Sequence, residues 1–139
     1  MGEEEDAGRI MTLTERQVLH TSRMGKLICF AGAKGVSVKV QEWNRDLETQ
    51  KRYVAEGVSK TLKSDHLDKC ATDVYVIVNG EPTENDEDYR ILGEYWISLG
   101  GQWGGRFVNR AEFLKKNGRE FDPAKDLGWD VYHMGSPAV

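Results

Sequence analysis

Two histidines and two aspartates, split between two distant segments, are the residues of this chain best suited to chemistry. His66 and Asp73 belong to Ser64-Asp65-His66-Leu67-Asp68-Lys69-Cys70-Ala71-Thr72-Asp73, a polar stretch running into the apolar Val74 to Val78. Asp130 and His133 lie near the other end. A zinc ion in a hydrolase takes three nitrogen or oxygen ligands and keeps one position open for water. His66, Asp73 and His133 can supply two imidazoles and a carboxylate, and the seven-residue step from His66 to Asp73 lets a turn bring both to one ion. Water on such an ion has a pKa near ~7. A base must then take its proton and pass it to the leaving amine. Asp130, three residues before His133, flanks the same ion if the chain bends there. An arginine at the mouth would steady an oxyanion. The same four residues also read as ordinary surface and capping groups, and spacing alone leaves both readings open. Cys70 adds a third, a thiolate nucleophile, which would need a base and an electropositive setting. Its place beneath a strand suits a buried cysteine better.

The elements that must position these residues have readable boundaries. Thr12 or Thr14 can cap a helix, with apolar Leu13, Val18, Met24, Leu27, Ile28 and Ala31 near helical spacing and Gly32 or Gly35 at its end. His20 on this segment reads as a surface or half-buried helix histidine. Val36 to Trp43 alternates apolar and polar residues and predicts a strand with one buried face. Asn44 or Asp46 can cap a second helix that Gly57 stops. Residues 58–65 read as a polar turn. Val74 to Val78 predicts a core strand, and Asn79-Gly80 a hairpin. Glu81 to Asp88 is an acidic run. A solvated loop is its plain reading and a calcium site the sharper one, although the spacing does not match an EF-hand loop. Tyr89 to Leu99 predicts a third helix with Ile91, Leu92, Tyr95, Trp96 and Leu99 on one face. A glycine-rich strand at 102–107, a short helix from Ala111 to Asn117 closed by Gly118, and a last strand from Trp129 to Met134 follow. The fold class expected is α+β, a small antiparallel sheet carrying the metal site and packed against about three helices.

The chain of 139 residues fits one domain, with residues 1–11 as an acidic tail and 12–139 as the folded unit. A hydrophobic content of 39% with four tryptophans argues for a globular core rather than disorder. The net charge of -4 argues against nucleic acid as the main partner. Cys29 and Cys70 make no disulfide scaffold and are expected reduced, in a cytoplasmic setting. The acidic start, Met1-Gly2-Glu3-Glu4-Glu5-Asp6, lacks the basic and apolar regions of a secretory signal. No apolar stretch is long enough to span a bilayer. A monomer with no membrane partner is expected.

A wider pattern favours the zinc reading. Ser64-x-His66 followed by Ala71-x-Asp73 and a strand resembles the signature of the D-Ala-D-Ala carboxypeptidase and L-alanyl-D-glutamate endopeptidase family of zinc peptidases, which includes single-domain phage endolysins. Arg45-x-x-x-x-Gln50, the turn Gly57-Val58-Ser59-Lys60, Leu92-Gly93-Glu94-Tyr95-Trp96, Trp103-Gly104-Gly105-Arg106-Phe107 and Asp130-x-x-His133 extend the resemblance from about Leu13 to His133. It implies zinc on His66, Asp73 and His133, Asp130 as general acid and base, and Arg45 as the group that binds substrate and steadies the oxyanion. Ser64 and Gln50 are implied as supporting polar groups near the substrate. Peptidoglycan stem peptides are the implied partner, and host lysis after release from the cytoplasm is the implied role. Either bond remains open: Arg45 could hold the glutamate carboxylate of an endopeptidase substrate or the terminal carboxylate of D-Ala-D-Ala. A non-catalytic wall-binding module is the reading from another class. Three departures from the family pattern stand out. Lys69 occupies a position where many members have glycine. Met134-Gly135 replaces Phe-Glu after the last histidine. The segment 108–128 is longer than in close relatives, as a lid or wall-binding loop would be.

Overall fold

The computed structural model describes residues 11–43, 47–57 and 70–137, with side chains between 47 and 57 described from Lys51 onward. The acidic tail through residue 10, the caps expected at Asn44 or Asp46, and the turn at 58–65 lie outside these residues.

Helix α1, Leu13–Ala33, begins in a capping box. The Thr12 hydroxyl accepts from Glu15 N at 3.1 Å, and Glu15 Oε1 accepts from Thr12 N at 3.0 Å. It ends where Gly35 takes φ 70°, letting Gly35 N reach Gly32 O and Val36 N reach Ala31 O. Its buried stripe is Arg16, His20, Met24, Leu27 and Ala31. Met24, Leu27 and Ala31 are buried as expected, whereas Leu13, Val18 and Ile28 are exposed, which corrects that half of the expected face. His20, expected at or near the surface, is completely buried.

The sheet has five antiparallel strands: β1 Ser37–Glu42, β2 Ala71–Val78, β3 Glu81–Pro82, β4 Gln102–Trp103 and β5 His133–Gly135. They lie in the order β1-β2-β5-β4, with β3 also paired to β2. Asn79 and Gly80, at φ 54° and 82°, turn β2 into β3 as the sequence predicts. Strand β2 starts three residues before the apolar run, because β5 pairs with its first half. The strand expected at 102–107 is cut short by a 3₁₀ turn at Gly104–Arg106. The strand expected from Trp129 starts only at His133, after a turn in which His133 N donates to Asp130 O at 3.1 Å. Strand β1 is an edge strand with Val40 exposed, so its expected buried face is only partial.

Helices α2, Leu47–Ala55, α3, Arg90–Ser98, and α4, Arg110–Asn117, complete an α+β fold. The core joins Met24 and Leu27 of α1 to Val74 and Val76 of β2 and to Leu92 and Trp96 of α3. The run Glu81 to Asp88 folds as a hairpin end and a 3₁₀ turn, with Asn85 capping Glu87 N and Thr83 donating to Asp88. Among the described residues no helix is long and apolar enough to cross a membrane.

Candidate functional site

Strand pairing brings together two residues that lie far apart in sequence. Val74 N donates to Tyr132 O at 3.0 Å and Ser136 N to Cys70 O at 2.8 Å. These fix the hydrogen-bonded pairs of the β2–β5 ladder, so by alternation Asp73 and His133, which are Cα partners, form a non-hydrogen-bonded pair. Such pairs hold their Cα atoms about 4.5 Å apart and place side chains closest. Both side chains leave the face opposite Val74 and Val76, away from the core. Asp130 Oδ2 stands 4.0 Å from His133 Nδ1, at the end of the turn that opens β5. His133 is 12% and Asp130 27% exposed, a half-sheltered setting.

Glycines make this geometry possible. Asp130 N donates to Gly104 O, and a Cβ on Gly104 would collide with the Asp130 carbonyl. A Cβ on Gly135 would stand 2.7 Å from His133 Nε2, so the imidazole lies over the bare Cα of Gly135. This gives a physical meaning to Met134-Gly135. Met134 is fully buried opposite Thr72, and Gly135 leaves room for the ring. The Phe107 ring also flanks the histidine, centroids 5.3 Å apart and planes tilted 49°.

A β-bulge adds an acid that the sequence reading missed. The β1–β2 register shifts between Val40 and Glu42, making Glu42 the partner of Asp73. Without the shift Glu42 would share the Val40 face. The bulge re-aims it to the side of Asp73 and turns Trp43 inward, edge-on to His20 at 5.7 Å. Tyr53 of α2 donates to Glu42 Oε2 at 3.5 Å. Tyr75 reports the charge gathered here. Burial raises its phenol pKa first, and the negative charges of Asp73, Asp130 and Glu42 raise it further.

Behind this face lies a buried polar network. His20 Nδ1 is 2.8 Å from Ser136 Oγ and Nε2 is 2.8 Å from Thr72 Oγ1. Hydroxyls donate or accept, so they complement either tautomer. Arg16 Nε donates to Ser136 O at 2.6 Å, and Trp96 Nε1 to Gly135 O at 2.9 Å. Helices α1 and α3 thus bolt down the three-residue strand that carries His133. The signal for His20 was its place four residues from both Arg16 and Met24.

Of the residues singled out in the sequence, Asp73, His133 and Asp130 are brought together. His66, Ser64, Arg45, Lys69 and the Gln50 side chain lie outside the described residues. Among the described residues no group of three or more His, Cys, Asp or Glu could hold a metal. The fit to zinc therefore rests on one carboxylate and one imidazole, donors of the right kind in adjacent positions. Cys70 is fully buried, as the packing reading of it requires.

No family model matches the chain, and no curated protein matches it. Among solved structures, the crystal structure of the Serratia marcescens L-Ala D-Glu endopeptidase ChiX is similar, with a TM-score of 0.53 and 24% sequence identity. The match covers 73% of this chain and 68% of that one. At this identity the likeness is one of fold, and the chain shares its fold with an L-Ala D-Glu endopeptidase.

Proposed function

We propose that this chain is a zinc-dependent peptidase that cleaves the L-alanyl-D-glutamate bond of the peptidoglycan stem peptide. The observation that carries this reading is the Asp73–His133 pair with Asp130 at 4.0 Å, in a fold shared with an L-Ala D-Glu endopeptidase. His66, Asp73 and His133 would hold the metal. Bound zinc would polarise the scissile carbonyl and acidify a water molecule near neutral pH. Asp130 accepts the proton of the attacking water and returns it to the leaving amine. Its 4.0 Å from His133 is longer than a hydrogen bond, which suits a proton acceptor beside a ligand rather than a clamp on it. Arg45 binds the glutamate carboxylate and steadies the oxyanion, with Ser64 and Gln50 in support. Residues 12–139 act as one monomeric domain behind the acidic tail 1–11, held in the host cytoplasm until release to the wall.

Zinc titration of the purified chain and of Asp130→Asn, with hydrolysis assays on both, tests the assignment. One zinc should bind each protein, and the variant should lose about 10²–10⁴-fold in rate. Absence of a zinc site, or full activity in Asp130→Asn, would overturn it.

A further inference from the structure

Trp129 is the most exposed of the large apolar side chains among the described residues, with 74% of its surface open to solvent. A lone exposed apolar residue is ordinary, but Trp129 is unusual in how firmly its backbone is held. Gly128 N donates to Gly105 O at 2.6 Å, Trp129 N to Phe107 O at 3.1 Å and Asp130 N to Gly104 O at 3.3 Å. Three consecutive amides are thus pinned to the 104–107 turn. Gly128 packs so closely on the Phe107 backbone that no Cβ fits. The chain is fixed here, and the indole is nevertheless held out into water. Its ring leans on Phe107, centroids 5.6 Å apart and planes tilted 49°. Phe107 lies 5.3 Å from the His133 imidazole. An aromatic ledge therefore runs outward from the candidate centre and ends in an open ring.

The chemistry of the proposed substrate says what that ring meets. In intact peptidoglycan, L-alanine follows the lactyl group of N-acetylmuramic acid. One extended residue spans about 3.6 Å, so the sugar sits just outside the reacting centre, within the reach of two ring steps. A pyranose face is a sheet of weakly positive C–H groups, and an indole face carries the complementary negative quadrupole. We infer that Trp129, seated on Phe107, is a binding platform for the N-acetylmuramyl sugar of uncleaved wall. The inference rests on the proposed function and adds a glycan subsite to it.

Two substrates separate the possibilities: a disaccharide-tetrapeptide, and the same tetrapeptide without sugar. The wild type should show the lower KM on the first. Trp129→Ala should raise that KM about tenfold, the worth of one good aromatic contact, with kcat within about twofold. It should leave the free peptide unaffected, and Trp129→Phe should restore most of the loss. Peptide-free disaccharide should change the tryptophan fluorescence of the wild type and not of Trp129→Ala. Equal loss on both substrates, or loss on neither, would overturn the sugar platform. If the wild type cleaves neither substrate, the proposed function fails, and the fluorescence titration alone decides the subsite: no change with disaccharide sinks it.

Discussion

The strand that carries His133 and the excursion that precedes it are held by opposite means. Strand β5 has three residues, yet His20, Arg16 and Trp96 grip it and Ser136 through buried bonds of 2.6 to 2.9 Å. The segment 108–128 has a full helix, α4, that buries no side chain. Phe121 is buried, Leu127 packs on the core and Gly128 N is bonded to Gly105 O, and surface devices keep the rest. Asn109 caps Glu112 N, Gly118 closes the helix at φ 70°, and Phe113 meets Phe121 edge-on at 5.3 Å. Arg119 grips Asp126 with two bonds of 2.6 and 2.7 Å. Bonds inside a dry core gain strength from low dielectric and are costly to break, whereas an exposed ion pair is weak and screened by salt. The strand that carries His133 is thus held from the core, whereas helix α4 of the excursion is held mostly at the surface.

His20→Leu should break this contrast hardest. It leaves the hydroxyls of Thr72 and Ser136 buried without their shared partner, at a cost of about 3 kcal/mol in unfolding free energy. Zinc affinity should fall as well, because Thr72 precedes Asp73 and Ser136 directly follows the His133 strand. Chemical denaturation and metal titration would measure both, and wild-type values in the two would dissolve the contrast. Asp126→Asn should have the smallest effect. Hydrogen bonds from Arg119 hold the Asp126 carboxyl down to about 2 from an ordinary 3.8. A carboxylate with a lowered folded pKa stabilises above its unfolded value and loses that contribution as pH falls through the folded one. The wild type should therefore hold a small advantage over Asp126→Asn at neutral pH that fades between about 4 and 2, and that high salt reduces. A difference constant across that range would mean the ion pair is not what Asp126 contributes.

Sequence was most informative where local rules decide the outcome. The α1 cap at Thr12, the Asn79-Gly80 hairpin and the short helix that Gly118 closes follow from residues a few positions apart. The last strand was expected but its bounds were hidden, because His-Met-Gly has neither alternation nor β propensity and tertiary bonds hold it in place. The bulge that places Glu42 depends on the partner strand and leaves no local mark. Apolar spacing on α1 marked Met24, Leu27 and Ala31 of the buried face but missed its arginine and histidine, whose partners lie more than fifty residues away. Asp73 and His133 were legible as residue types suited to zinc, and Asp130 as one suited to proton transfer. Their meeting became visible only in the β2–β5 register.

The proposed function has the Asp73–His133 face hydrolyse one bond of the stem peptide. Mass analysis of fragments released from purified peptidoglycan by the zinc-loaded chain tests it most directly. Glycan strands ending in L-alanine and free peptides beginning with D-glutamate are expected, both lost on chelation. Release of D-alanine alone, or no fragments with zinc bound, would contradict it.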